Sequence, residues 1–201
     1  MQSNKLDLLK KSENNRLIII DDSIDMQEIF TEIFDDGKEK YEIFRAFSKK
    51  EALQIILEEL KKNKPIACGF IDVVLENEKD GLELIKMIRK IDKNFLCTIM
   101  TAYEDKLYFS EINSIFAEKN FEEWDYLSKP ISSVEVIQKS NYMLAAWNRR
   151  TREEYMMNEL LSNQKNLVIG SLTAGLAHEI NNPLSLIHGD VPFLLTTSEQ
   201  L

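Results

Sequence analysis

Five groups with oxygen or nitrogen chemistry stand, in order, at the ends of short apolar runs. Asp21 and Asp22 close Leu17-Ile18-Ile19-Ile20, and Asp72 closes the run from Ile66 to Ile71. Thr101 closes the run from Phe95 to Met100, and Lys129 with Pro130 follows the run from Trp124 to Leu127. If the first and third runs are neighbouring strands, three carboxylates converge, and like charges at that distance need a cation to coexist. Magnesium suits such a cluster, being hard, oxygen-seeking and commonly held by one or two carboxylates with phosphate oxygens and water. A carboxylate beside the metal can attack a phosphoryl group as a covalent nucleophile and become an acyl phosphate. Lys129 would neutralise the added charge and the Thr101 hydroxyl would hydrogen-bond a phosphoryl oxygen; positioning and charge stabilisation are most of what phosphoryl transfer requires.

The elements that must bring these groups together are legible in the pattern. Leu17 to Ile20, Tyr41 to Phe47, Ile66 to Ile71, Phe95 to Met100 and Trp124 to Leu127 read as five strands, most of them continuously apolar, as strands covered on both faces are. Helical periodicity falls between them, over Ile24 to Phe34, Lys49 to Lys62, Leu82 to Ile91 and Asp105 to Ala117. Ser48-Lys-Lys-Glu51 forms a capping box at the start of the second helix, and Ser132-Ser-Val-Glu135 forms another after the fifth strand. A regular β-α alternation implies right-handed crossovers and a parallel, doubly wound α/β sheet whose site lies beyond the carboxyl ends of its strands.

Composition narrows the function further. A formal charge of −9 over 201 residues disfavours nucleic acid as the main partner, because phosphate backbones are bound by clustered lysine and arginine. The one basic spot, Arg149-Arg150-Thr151-Arg152, reads as a solvated helix face, since no aromatic residues interleave with it. No apolar run is long enough to span a bilayer and Met1-Gln-Ser-Asn-Lys5 has no apolar signal core, so a cytoplasmic chain with no membrane segment is expected. Cys68 and Cys97 stand inside apolar runs without metal-ligand spacing and read as reduced core thiols. Residues 1–14 are polar and lysine-rich and read as a flexible lead-in.

As a set, the acidic pair, Asp72, Thr101 and Lys129-Pro130 resemble the response-regulator receiver family, over residues 15–135. The resemblance implies a five-stranded, flavodoxin-like fold and Mg2+ held by Asp21, Asp22, Asp72 and the backbone carbonyl of Val74. It implies Asp72 as phosphoacceptor, Thr101 and Lys129 on the phosphoryl group, Ala102 leaving access beside it, and Tyr126 at the aromatic switch position. The stretch Val73 to Lys79 departs from the family by lacking its usual proline and being one residue longer. The span from Thr101 to Lys129 is also longer than the family's. Haloacid-dehalogenase-like phosphatases also form an aspartyl phosphate, but they need a second aspartate two residues on, where this chain has Val74.

From Ser132 nothing breaks a helix until Pro183, which is longer than a globular domain needs. Residues 132–166 read as a signalling helix or coiled-coil linker. Met157, Leu161 and Val168 fit one seam and Met156, Leu160 and Leu167 another, leaving the register open. A homodimer through this helix is expected, with a helix packed back on its own domain as the alternative. Within the helix, His178 adjoins Glu179, and imidazole nitrogen can carry a phosphoryl group while the acid takes a proton. Pro183 would bend the helix within a turn of His178.

The segment Ala174-Gly-Leu-Ala-His178-Glu-Ile-Asn-Asn-Pro-Leu184 resembles the H-box of the dimerisation and histidine-phosphotransfer domain of sensor histidine kinases. The resemblance implies His178 as phosphoacceptor, Glu179 as assisting base and Asn182 as a helper in the phosphatase or transfer reaction. It makes residues 167–201 the first, truncated helix of that domain, and a cognate histidine kinase or phosphotransfer protein the partner. No glycine-rich nucleotide motif follows, so a chain ending at Leu201 is expected to be part of a longer ATP-dependent kinase or a shortened one. The alternative is a phosphorylation-controlled dimerisation module without kinase activity.

Overall fold

The computed structural model describes residues 13–35, 40–77, 80–102 and 124–198; for residue 124 and nearly all positions beyond 169 it describes the backbone alone. In chain order the elements are β1 (Arg16–Ile20), α1 (Ile24–Asp35), β2 (Glu42–Ala46), α2 (Lys49–Lys61), β3 (Cys68–Asp72), α3 (Asp80–Ile91), β4 (Leu96–Ala102), β5 (Trp124–Lys129) and α4 (Ser133–Ser198). The five strands form one parallel sheet in the order β2-β1-β3-β4-β5. This is the doubly wound α/β architecture that the alternation predicts. The fourth helix read from the sequence, Asp105 to Ala117, lies outside the described residues.

The two faces of the sheet are filled by alternate strand residues. Ile18, Ile20 and Ile71 face a core closed by Ala52 and Ile56 of α2 and by Leu82, Ile85 and Ile88 of α3. Leu17, Ile19 and Phe70 face the other, closed by Phe30 and Phe34 of α1 and by Val136, Met143 and Trp147 of α4. Cys68 and Cys97 are buried free thiols, and burial pushes both above the ordinary thiol range, Cys97 to about 11. Gly69 marks the closest approach: a β-carbon there would lie 2.7 Å from Ile18 Cγ2 and 2.9 Å from Phe95 Cζ. Helix ends follow local chemistry. Ser48 caps α2 by accepting from the Glu51 N–H at 3.2 Å, while Glu51 accepts in return from the Phe47 N–H at 2.8 Å. Asn63, with φ 56°, ends that helix in the left-handed region, where Asn is tolerated.

Boundaries move in informative ways. β4 and β5 run through Thr101 and Lys129, so both side chains stand on strands rather than on the loops after them. β2 is an edge strand, and it places the charged side chains of Glu42 and Arg45 in solvent. Contacts divide the chain into two units, Met1–Arg152 and Glu153–Leu201. The helical backbone of α4 continues past Pro183 and Pro192. A proline deletes one bond of the helical ladder and leaves its neighbours' bonds in place, so the helix does not end there.

Candidate functional site

The order β2-β1-β3 makes the strands bearing Asp21 and Asp72 neighbours, and pairing aligns Ile20 with Ile71. On the far side of β3, Asp72 aligns with Met100, and Ala102 of β4 aligns with Lys129 of β5. Parallel register therefore delivers all these groups to one edge. Oxygen atoms of Asp21, Asp22 and Asp72 lie within 4.8 Å of one another, with Asp21 and Asp72 buried and Asp22 exposed. The ammonium of Lys129 ion-pairs with Asp72 Oδ2 and donates to Asp21 Oδ2 at 3.0 Å. Each buried carboxylate spends its other oxygen on backbone: Asp21 Oδ1 accepts from the Ser23 N–H at 2.9 Å, and Asp72 Oδ1 from the Val74 N–H at 3.2 Å.

Burial pushes the Asp72 carboxyl up to about 6, against the opposing pull of Lys129, and the Asp21 charge adds to the rise. Lys129 is drawn down by burial, but its bonds to Asp72 and Asp21 outweigh that and hold it above the ordinary lysine value. Thr101 is buried beside the cluster with its hydroxyl donating to the Ala102 carbonyl at 3.1 Å, and Ala102 is exposed at the rim. Tyr126 is 51% exposed, so its ring lies outward. The Lys129–Pro130 peptide is cis. The donor set of the cluster is oxygen alone, the chemistry of a hard divalent cation.

A match to the response regulator receiver domain model spans residues 17–141. The chain belongs to the response regulator receiver family. Over 127 residues this receiver is 30% identical to sporulation initiation phosphotransferase F of Bacillus subtilis (strain 168), covering 61% of the chain and 88% of that protein. A solved structure from Chloroflexus aurantiacus J-10-fl, described as a response regulator, is 29% identical, with a TM-score of 0.52 over 65% of this chain and 98% of that one. A CheY-like receiver domain protein from Methanospirillum hungatei JF-1 is 20% identical, with a TM-score of 0.53 over 68% and 98%, and shares the fold. This is thus a receiver domain of a two-component phosphorelay.

Three residues that support the receiver's site carry no clear signal of that role in the sequence. Gln27, buried in α1, donates from Nε2 to the carbonyls of Asp21 at 3.0 Å and Ala46 at 3.2 Å, tying the acidic end of β1 to β2. Asp80, buried at the start of α3, pairs with Lys49 of α2. Gly81 packs onto the backbone beyond Asp72: a β-carbon there would lie 1.9 Å from the Asp72 carbonyl oxygen. The one hint is the Asp80-Gly81 dipeptide itself, a pair common in ordinary turns. On α4 the backbone at His178, Glu179 and Asn182 is helical, and their side chains lie outside the described set.

Proposed function

We propose that this receiver takes a phosphoryl group on Asp72 and passes the resulting state along α4 to a histidine-phosphotransfer segment centred on His178. The observation that carries the first half is the convergence of Asp21, Asp22 and Asp72 within 4.8 Å with Lys129 bridging two of them. Asp21, Asp22 and Asp72, with the Val74 carbonyl, are the oxygens that would hold Mg2+. When bound, that ion supplies positive charge against the phosphoryl oxygens. With its carboxyl at about 6, Asp72 is mostly ionised at neutral pH. One of its oxygens forms the bond to phosphorus as the donor's own bond to phosphorus breaks, and the electron pair leaves with the donor. Lys129 moves its ion pair to the new phosphoryl oxygens, and the Thr101 hydroxyl turns from the Ala102 carbonyl to donate to one of them. The donor is a phosphohistidine of a cognate kinase or phosphotransfer protein.

The second half rests on the H-box resemblance around His178, with Glu179 as base and Asn182 assisting transfer or dephosphorylation. It is supported by a helix assigned without interruption from Ser133 to Ser198. Met156, Met157, Leu160, Leu161, Leu167 and Val168 are all exposed, which supports burial against a second copy in a homodimer. The parent activity is that of a histidine kinase regulated by its receiver.

With magnesium and a small phosphodonor, the chain should gain an acid-stable, base-labile phosphoryl group that Asp72→Asn lacks. Equal incorporation by that variant removes Asp72 from the role. Phosphate on His178, supplied by an ATP-dependent kinase, should be acid-labile and absent from His178→Gln.

A further inference from the structure

The loop after the phosphoacceptor, from Val73 to Asp80, contains no proline to restrict it, yet its described residues are tied at several points. Val73 donates its N–H to the Met100 carbonyl at 3.1 Å, and its own carbonyl accepts from the Gly81 N–H at 3.1 Å. Val74 is bound through its N–H to Asp72 Oδ1. At the far end Asp80 Oδ2 accepts from the Asn77 backbone N–H at 3.2 Å and from Asn77 Nδ2 at 2.7 Å, while the Asp80 N–H donates to the Asn77 carbonyl at 3.2 Å. The other carboxylate oxygen of Asp80 takes the ammonium of Lys49, which also reaches Glu83 at 2.9 Å. Asp80 is 6% exposed, and these bonds hold its carboxyl below the ordinary aspartate value, the Lys49 bond foremost.

Lys49 is itself fixed, because it begins α2 directly after the Ser48 cap and β2. Asp80 therefore joins the loop to a second rigid element. Its neighbour Gly81 lies so close to the Asp72 carbonyl that any shift of the start of α3 moves the phosphoacceptor's own backbone. We infer that Asp80, clamped by Lys49 and gripping Asn77, is a positioning residue that sets the loop carrying the Val74 carbonyl and thereby tunes the affinity of the acidic cluster for its cation. The inference rests on the cation-assisted reading of Asp72. Groups that orient metal-binding oxygens from behind commonly change metal affinity without touching the ion.

The test is a calorimetric titration of the whole chain with Mg2+, beside its thermal unfolding and its phosphorylation rate as a function of Mg2+. Asp80→Asn and Lys49→Met should weaken Mg2+ binding about tenfold, and Lys49→Arg should restore it to within about twofold. In the weakened variants the Mg2+ concentration for half-maximal phosphorylation should rise by the same factor, with the maximal rate little changed. A merely structural role would lower the melting temperature and leave the Mg2+ affinity alone. Should Asp80→Asn fail to fold, Lys49→Met and Asn77→Ala decide the matter, since each removes one arm of the clamp from a less buried position. Folded variants with wild-type Mg2+ affinity overturn the inference while leaving Asp72 in its role. A wild-type chain that binds no Mg2+ overturns the functional reading and this inference together.

Discussion

Replacing Asp72 by asparagine should make the metal-free domain more stable at neutral pH, by an amount the structure sets. The amide matches the protonated carboxyl in size and keeps an oxygen for Lys129, so the Asp72→Asn variant resembles wild type with the proton permanently in place. Burial lifts that carboxyl from 3.8 to about 6. The unfolded chain gives up the proton near the lower value and the folded chain near the higher. Between them the native state binds the extra proton, so wild-type stability falls as pH rises, by about 1.4 kcal/mol per pH unit. Above about 6 the penalty is complete, at about 3 kcal/mol for a carboxyl buried to this degree. Urea unfolding of both proteins in chelator, followed by circular dichroism from about pH 4 to about pH 8, spans the window between the two values and reads the difference directly. The two should be equally stable near the lower value, diverge up to about 6 and run parallel above it. Added Mg2+ should close the gap, because it binds the ionised native state of the wild type in preference. A variant that is less stable than wild type at neutral pH without metal, by an amount independent of pH, would refute the reasoning.

Gly81→Ala should cost at least about 2 kcal/mol in urea unfolding, since its β-carbon would overlap backbone that no rotamer can relieve, and should depress phosphorylation of Asp72 as well. Arg16→Met should flatten the acid limb of the stability curve: Lys62 and Arg16 hold Glu59 down at about 2 against 4.5, so its contribution is full above 4.5 and fades as pH falls towards 2. Inserting four residues near Asn158 turns the following helix by about 40° beyond a full turn and advances it by about 6 Å. That insertion should abolish any effect of beryllofluoride on distances between spin labels placed beyond it, and an unchanged effect would make α4 a simple tether.

The fold was legible because its strands are short apolar runs punctuated by polar ends, and because parallel topology dictates where those ends gather. Asp21, Asp22, Asp72, Thr101 and Lys129 could be picked out one after another, since each stands within two residues of the end of an apolar run. What sequence order could not show was lateral contact. Gln27 looks like one more polar helix residue, yet it is 2% exposed and bonds two strand ends. Lys49 and Asp80 are 31 positions apart and on different helices, and no periodicity links them. The same limit explains the strand ends: whether Thr101 and Lys129 finish a strand or follow it depends on the pairing of β4 with β5, which neither run reveals alone.

The strand order also bears on how the protein comes into being. Asp21 and Lys129 meet across 108 positions of sequence, with β3 and β4 between their strands. During synthesis the three aspartates are made first, and their mutual repulsion lacks the Lys129 ammonium until the fifth strand has been added. Contacts of such sequence separation form late and slowly, because the loop must close before they contribute. The docking of β5 is thus both the step that seals the sheet and the step that neutralises its acidic rim. A chain halted before Lys129 has neither, so competence to accept a phosphoryl group doubles as a report that the whole sheet is assembled.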